Sequence, residues 1–435
     1  MKKKIIIVIS AVVVILLIAF LIRENIMLKG QIDENVESSI PKKNQDMLSM
    51  MLETEAGSGN YEMTTRESWP TEGYKFNSEL SKCEHGSELS WDDVNKSVLM
   101  SGNVSDKCYI YFDLYNPTLA EYVVSQYNGV QGNNNIYYHD SSLANGAGDN
   151  SYRYAGSSET TNNFVCFGTN ENPCPTDNLY RIIGIFGENV KLIKYDYATN
   201  EMLGTDGLYS KEVSSTDYSN YKGSLNDIAM YEMMIDESLA YNESLIIKLS
   251  SCKDSLAVGD PCDDNVISQI NYTPLGKINL NTNFINFLPE NFKQKIKNSN
   301  WIINYFDNSA QFSTAQNIFL VESASGGITY EGKIGLMYVS DYGFAAKPSA
   351  WKKTLDTYND TIMTTNNWMY MGVNENVITD FKSSCNRIII GSAGDLYFAS
   401  TYADIAAIRP TFYLTSDVTY KSGTGTISNP IILGD

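Results

Sequence analysis

The fold of this chain is decided by one stretch, Leu179-Tyr180-Arg181-Ile182-Ile183-Gly184-Ile185-Phe186, which is followed by Gly187-Glu188-Asn189 and by Val190-Lys191-Leu192-Ile193-Lys194-Tyr195. Both apolar runs are rich in β-branched and aromatic residues, and a short glycine-containing turn separates them. This pattern is typical of an antiparallel β-hairpin. We therefore predict that the larger part of the chain is built around an antiparallel sheet.

One helix and several strands are predicted after this hairpin. Leu288, Phe292 and Ile296 recur at four-residue spacing around Pro289, which is the pattern of an amphipathic helix. Short apolar runs then predict strands at Lys333–Val339, Asn386–Ile390, Leu396–Phe398, Thr411–Leu414 and Ile431–Leu433. A hairpin, then helices, then several strands indicates an α+β, β-rich fold with an antiparallel sheet, not a βαβ arrangement.

A separate small β unit is predicted at residues 74–115. Its strands are expected at Glu88–Trp91, Ser97–Met100 and Cys108–Phe112. Because so small a unit buries little surface, a disulfide between Cys83 and Cys108 would add a needed constraint, on the order of 3 kcal/mol.

The segments on either side of this unit are predicted to be connections. Residues 23–73 are polar and predict a stalk or linker, in which Leu48, Met51 and Leu52 would share one face of a short helix. Residues 116–160 predict a loop-rich connector to a larger domain at residues 161–435.

Seven cysteines are spaced in a way that favours local disulfides. The expected pairs are Cys83 with Cys108, Cys166 with Cys174, and Cys252 with Cys262, which leaves Cys385 alone. This pairing is an interpretation, because six cysteines allow fifteen connectivities. With no C-x2-C pair and only two histidines, no zinc site or other metal centre is predicted; calcium at the acidic loop Asp260–Asp264 is an open alternative.

A membrane anchor is predicted at the N-terminus. Ile5–Ile22 are eighteen uncharged, mostly aliphatic residues behind three lysines, and at about 1.5 Å per residue such a run reaches across a hydrocarbon core. A cleaved signal peptide is the alternative, but no small-x-small site follows the run. The lysines should remain cytoplasmic and the rest of the chain should lie outside the cell. The formal charge of -19 makes nucleic-acid binding unfavourable.

Several sequence blocks resemble a known family. They are Val165–Gly168, Asn178–Phe186, Gly332–Ala345, Asn366–Tyr370, Ile408–Leu414 and Ser422–Pro430. In this order they are similar to an uncharacterised family of secreted or membrane-anchored surface proteins of low-GC Gram-positive gut bacteria. The block Arg409-Pro410-Thr411-Phe412 is similar to the last strand of C-type-lectin-like domains of the formylglycine-generating-enzyme type.

The resemblance implies a fold with a small twisted sheet, irregular surface loops and termini that lie close together. Residues 236–282 depart from the family pattern and look like an insertion. The formylglycine-type oxidase needs two juxtaposed cysteines near the domain's end, whereas Cys385 is alone. Fold resemblance therefore implies no activity here.

The function predicted from these features is binding. Neither histidine lies near a nucleophile motif, and no catalytic residue, cofactor-binding residue or cofactor is predicted. A surface-exposed binding or adhesin-like module for a glycan or protein is expected; a pilin-like structural subunit and an extracellular enzyme without a recognisable motif are the alternatives.

Two sets of residues are candidates for specific roles. Tyr342, Trp351, Trp368 and Tyr370 are conceivable ligand contacts, with burial in the core as the alternative. Pro410 cannot donate a ladder hydrogen bond, so the predicted strand should begin there, directly after Arg409. The resemblance to the lectin-like ending implies that Arg409 bonds backbone carbonyls or a carboxylate inside the domain, with ligand contact as the rival interpretation.

Overall fold

The computed structural model describes residues 47–64, 68–70, 73–103, 105–204, 209–210, 220–223, 228–231, 275–306, 313–359, 365–381, 386–400 and 406–434. The chain divides into two compact units, Met1–Asn116 and Pro117–Asp435. Within the described residues the fold is α+β and β-rich, as predicted. The expected anchor Ile5–Ile22 lies outside them, and none of the helices that the structure describes is long and apolar enough to span a membrane.

The described residues of the smaller unit contain six strands. They are β1 (Leu48–Glu53), β2 (Tyr61–Met63), β3 (Tyr74–Cys83), β4 (Glu88–Asp92), β5 (Ser97–Ser101) and β6 (Cys108–Leu114). Four of them form a sheet in the order β2-β1-β6-β3, and β4 and β5 form a separate hairpin. The predicted strands β4, β5 and β6 are confirmed.

The helix predicted in the stalk is wrong, because its residues form β1. This strand runs parallel to β6, with Leu48 opposite Cys108 and Leu52 opposite Phe112. Leu48, Met50 and Leu52 pack against the core of the smaller unit. Every second residue therefore faces the core, which is the periodicity of a strand and not of a helix.

The larger unit is built around an eight-stranded sheet. Its strands are β7 (Ile136–His139), β8 (Ser151–Tyr154), β9 (Phe164–Cys166), β10 (Leu179–Phe186), β11 (Asn189–Lys194), β22 (Thr411–Tyr413), β23 (Tyr420–Ser422) and β24 (Ile431–Leu433). The main order is β22-β11-β10-β9-β24-β23, and β8 pairs with both β7 and β10. The predicted hairpin is confirmed as β10–β11.

Gly184 allows β10 to pair with a third strand. The register of β10 shifts between Ile182 and Gly184, and beyond this shift β10 pairs with β8. A Cβ atom at Gly184 would lie 2.3 Å from the carbonyl oxygen of Tyr152, so a side chain at this position would displace β8.

A second, six-stranded sheet has the order β12-β13-β21-β17-β19-β20. Its strands are β12 (Tyr209–Ser210), β13 (Met230–Tyr231), β17 (Glu375–Asn376), β19 (Asn386–Ile390), β20 (Leu396–Ser400) and β21 (Ala406–Ala407). Two further pairs join β14 (Ser299–Ile303) to β16 (Ile328–Gly332) and β15 (Tyr305–Phe306) to β18 (Asp380–Phe381).

The α-helices described in the larger unit are short. They are α1 (Leu119–Tyr127), α2 (Asn200–Leu203), α3 (Ile285–Phe287), α4 (Glu290–Lys295), α5 (Ala315–Glu322) and α6 (Val339–Ala345). A π-helix spans Leu275–Phe284, and 3-10 turns lie at Asn133–Asn135, Thr176–Asn178, Pro348–Ala350 and Leu355–Asn359. The helix predicted around Phe292 is α4, which Pro289 precedes as N-cap residue.

The strand predicted at Lys333–Val339 is wrong. Gly335 makes only an isolated bridge to Thr411, and α6 begins at Val339. The Asp341 carboxylate accepts a hydrogen bond from the backbone amide of Tyr338 at 2.9 Å, which satisfies a free amide at the start of the helix.

Residues 116–160 contribute elements of the larger unit and are not only a connector. α1 begins with a capping box between Thr118 and Glu121, and Leu119 and Val123 on this helix are buried in the core. Thr118 forms a bridge with Thr419, just before β23. The start of the larger unit therefore lies beside the strands that end it.

Candidate functional site

Two of the three expected disulfides lie in the described residues and are formed. Cys83–Cys108 links β3 to β6, and Cys166–Cys174 closes the loop between β9 and β10. The third expected pair, Cys252–Cys262, and the single Cys385 lie outside the described residues. The short loop closed by Cys166–Cys174 constrains the chain where it enters the central strand β10.

Arg409 is enclosed in the core, where it is 1% exposed. Its guanidinium group donates to both carboxylate oxygens of Glu375 at 2.7 Å and to the carbonyl oxygen of Met369 at 2.6 Å. These are the two kinds of internal partner expected for it. β22 begins at Thr411, directly after Pro410. The rival interpretation of Arg409 as a ligand contact is not supported, because the guanidinium is closed off from solvent.

The four aromatic residues named as conceivable ligand contacts are also buried. The hydroxyl of Tyr342 donates to the carbonyl oxygen of Gly394, and that of Tyr370 donates to the carbonyl oxygen of Ser392, both at 2.7 Å. The indole groups of Trp351 and Trp368 donate at 2.9 Å to Ala346 and Tyr154. Interpreting these residues as ligand contacts is wrong, because their rings fill the core and their polar atoms are satisfied inside it.

A charged cluster lies inside the larger unit. The Asp341 carboxylate contacts Lys191 Nζ at 2.6 Å and Arg153 at 3.5 Å, and all three side chains are buried. Arg153 also contacts Asp149 at 2.7 Å. The Lys191 ammonium lies 4.5 Å from the centre of the Tyr338 ring. These ion pairs join side chains of β8, β11 and α6.

Glu322 lies beside this cluster, which gives two neighbouring carboxyl groups with different surroundings. Burial raises the pKa of Glu322 to about 7, against opposing hydrogen bonds from Ser340 and Thr379. Asp341, by contrast, has two cationic partners. Such a difference is typical of acid–base pairs in enzymes. Both side chains are enclosed, however, so this pair offers no surface to a substrate.

The candidate binding surface is a group of three tyrosines, Tyr127, Tyr138 and Tyr152, which we call the tyrosine face. Tyr138 and Tyr152 are directly opposite each other on β7 and β8, and their rings stack with centroids 4.6 Å apart. The ring of Tyr127, at the end of α1, lies 5.2 Å from that of Tyr152. Tyr138 and Tyr152 are half-buried, so each ring is held in place and is still partly open to solvent.

Polar side chains border the tyrosine face. Gln131 accepts from the backbone amide of Tyr138 and donates to its carbonyl, at 2.9 and 2.8 Å. Asn150 accepts from the Tyr138 hydroxyl at 3.2 Å. Asp140 is oriented by hydrogen bonds from Ser142 and Leu143. Amide and carboxylate groups thus surround rigid aromatic rings.

Burial and neighbouring groups favour the protonated form of the Tyr127 and Tyr152 hydroxyl groups. Burial, and next the negative charge of Asp140, raise the pKa of Tyr127. Burial and the neighbouring Tyr138 and Tyr127 raise the pKa of Tyr152. At neutral pH these hydroxyls are therefore neutral groups that donate and accept hydrogen bonds.

Sequence reasoning missed the tyrosine face because residues 116–160 were interpreted as a connector. Two signals were present, the dipeptide Tyr137-Tyr138 and the tripeptide Tyr152-Arg153-Tyr154, both next to polar turns. Among the described residues, no group of three or more histidine, cysteine or acidic side chains is arranged to hold a metal ion. The loop Asp260–Asp264 lies outside them.

Comparison of the chain with protein-family models, with curated proteins and with solved structures finds no match.

Proposed function

We propose that this protein is a membrane-anchored extracellular binding protein, adhesin-like in role, whose tyrosine face recognises a glycan. The observation that carries the proposal is the tyrosine face itself, a stacked and half-open aromatic pair on a rigid hairpin with amide side chains at its border. Ring faces pack against the C–H groups of a sugar, while hydroxyl and amide groups exchange hydrogen bonds with its hydroxyls.

The charge of the surface favours a neutral saccharide over a sulfated or acidic one. The chain carries a formal charge of -19, and Asp140 lies close enough to Tyr127 to raise its pKa. An anionic ligand would meet like charge at the face and over the whole surface. A neutral glycan meets none.

Two further parts of the proposal concern fold and location. We propose that the larger unit is C-type-lectin-like, and the bridge between Thr118 and Thr419, which brings its start beside its last strands, supports this assignment. We also propose that the chain belongs to the surface-protein family that its sequence blocks resemble. The apolar run Ile5–Ile22 supports an anchor that presents both units outside the cell.

A glycan array tests the proposal. The full-length protein is expected to bind neutral glycans and to leave sulfated and sialylated ones unbound. A parallel array of extracellular-matrix proteins distinguishes the alternative ligand class. Binding to matrix proteins without binding to glycans would indicate that the ligand is a protein. The absence of binding on both arrays would contradict the proposed function.

A further inference from the structure

Tyr122 of α1 and Tyr420 of β23 form a stacked pair that is separate from the tyrosine face. Their ring centroids are 3.7 Å apart and their planes differ by 6°, so the rings lie face to face with little offset. Aromatic pairs generally prefer an offset or an edge-to-face arrangement. Tyr138 and Tyr152, the next closest pair of tyrosines in the described residues, are 4.6 Å apart at 28°. The Tyr122–Tyr420 stack is therefore unusually close and parallel.

The two phenol groups of this stack point in the same direction. The hydroxyl of Tyr420 donates to the carbonyl oxygen of Gly423 at 2.9 Å, and that of Tyr122 donates to the same oxygen at 3.4 Å. Because the rings are parallel and their hydroxyls share one acceptor, the Cε carbon beside the hydroxyl of one ring lies against that of the other. Both rings are half-buried, so solvent reaches their edges.

The stack lies where the beginning and the end of the larger unit meet. Thr118 forms a bridge with Thr419, and the backbone amide of Tyr420 donates to the carbonyl oxygen of Pro117 at 2.8 Å. These contacts are non-covalent, so they are lost whenever this part of the unit opens. A covalent bond between the two rings would close a loop that contains most of the larger unit and would keep its two ends joined.

We infer that Tyr122 and Tyr420 are a site of oxidative cross-linking, at which a peroxide-dependent one-electron oxidant joins the two rings through a carbon–carbon bond. Each phenol loses one electron and its hydroxyl proton and becomes a neutral tyrosyl radical. The two radicals couple between their Cε carbons, and the hydrogen atom on each of these carbons then moves to the phenol oxygen of its own ring. The two electrons and two protons that were released convert one molecule of hydrogen peroxide into two molecules of water.

Other tyrosine pairs in the described residues are less well arranged for this bond. Tyr61 and Tyr111 meet at 90°, and Tyr127 and Tyr152 meet at 69°. In such a pair the edge of one ring points at the face of the other, so the two Cε carbons do not lie against each other. Tyr138 and Tyr152 are the nearest competitors, and their wider separation and tilt should give a lower yield.

The test is oxidation of the full-length protein with hydrogen peroxide and a haem peroxidase, followed by peptide mapping. A peptide that links Tyr122 to Tyr420 should be the main dityrosine product. On denaturing electrophoresis after reduction, the protein should remain a monomer and should migrate faster, because the linked chain contains a closed loop. Tyr420→Phe should lose both signals. Tyr109→Phe, which alters a half-buried tyrosine of the smaller unit, should keep both.

Oxidation of the wild type in denaturant is a second measurement, which decides the question if Tyr420→Phe fails to fold. Unfolding separates the two rings, so the linked peptide should be lost and the links should be spread over many tyrosines. An equal yield of the Tyr122–Tyr420 peptide in native and denatured protein would overturn the inference. Dityrosine that forms in the native protein only between other residues, or only between molecules, would also overturn it.

Discussion

Within the described residues, the core encloses several polar side chains. Some of them have a partner of opposite charge and others do not. Arg409 is paired: it makes three strong hydrogen bonds, two of them to the Glu375 carboxylate. The start of the strand after it was predictable from Pro410, and the internal role of Arg409 was implied by the resemblance to the lectin-like ending. Its partner was not, because Glu375 lies in a two-residue strand that no sequence pattern marks. Pairing between distant polar residues depends on the packed fold.

The first prediction concerns this ion pair. Arg409→Ala should lower the free energy of unfolding by about 3–5 kcal/mol, because it leaves the buried Glu375 carboxylate without its cation. Thermal melting of the full-length protein measures the effect. A fragment that starts at residue 160 is not suitable, since it would lack α1, β7 and β8.

The double variant Arg409→Met with Glu375→Leu is the control for this prediction. Because both charges are removed together, it should recover much of the loss. A melting temperature of Arg409→Ala equal to that of the wild type would refute a structural role for the guanidinium group.

The second prediction concerns Lys194, whose side chain is buried. It is 0% exposed, and its Nζ has no hydrogen-bond partner within the described part of the chain. Burial lowers the pKa of Lys194 to about 8, against the attraction of Asp196 and Asp177. Lys194→Met should therefore raise the free energy of unfolding at neutral pH by about 1–4 kcal/mol.

The lowered pKa of Lys194 also predicts the direction in which stability changes with pH. The folded state holds the Lys194 proton more weakly than the unfolded chain, so wild-type stability should increase as the pH rises from about 8 towards the unfolded pKa. The Lys194→Met variant should lack this increase, whereas Lys421→Met, at an exposed site, should retain it. Denaturant titrations at several pH values measure both. Loss of stability in Lys194→Met at neutral pH would show that the ammonium is paired.

Among the strands and helices, sequence patterns identified the hairpins, whose strands are neighbours in sequence. The hairpins β10–β11 and β19–β20 join strands that are neighbours in sequence, and both were predictable from apolar runs around a turn. The strand β1 was not, because it pairs in parallel with β6, about sixty residues away, and its methionines and leucines fit a helix equally well. The tyrosine face was missed for a related reason, since β8 is defined by its pairing with both β7 and β10.

The third prediction tests the connections between elements. Peptide mapping without reduction should recover linked peptides for Cys83–Cys108 and Cys166–Cys174. It should also recover Cys252–Cys262, which is predicted from sequence spacing alone. Reduction should destabilise the smaller unit by about 3 kcal/mol, the loop-closure contribution expected for a disulfide of this span. A disulfide that joins a cysteine of one of these pairs to a cysteine of another would disprove the scheme.

The whole molecule contains two compact units, and a membrane anchor is proposed at its N-terminus. The smaller unit has its own disulfide and its own aromatic core around Phe112. The larger unit contains the tyrosine face and the buried Arg409–Glu375 pair. The proposed anchor is a sequence-based prediction from the apolar run Ile5–Ile22, after which no small-x-small cleavage site is recognised.

The fourth prediction tests the anchor. N-terminal sequencing of the protein isolated from cell membranes should give the original start, Met1-Lys2-Lys3-Lys4. Protease added outside intact cells should remove both units, because the lysines are expected to stay in the cytoplasm. A mature start near residue 25 would show that the apolar run is a cleaved signal peptide.

The tyrosine face is proposed to bind a neutral glycan, and the affinity of the full-length protein for the glycan that it binds most tightly on the array tests this proposal. Tyr152→Ala removes one ring of the stacked pair and should weaken binding about tenfold or more, as the loss of an aromatic anchor does. Tyr109→Ala, which removes a half-buried tyrosine from a strand of the smaller unit, is the matched control and should bind like the wild type. Unchanged affinity in a folded Tyr152→Ala variant would contradict the account.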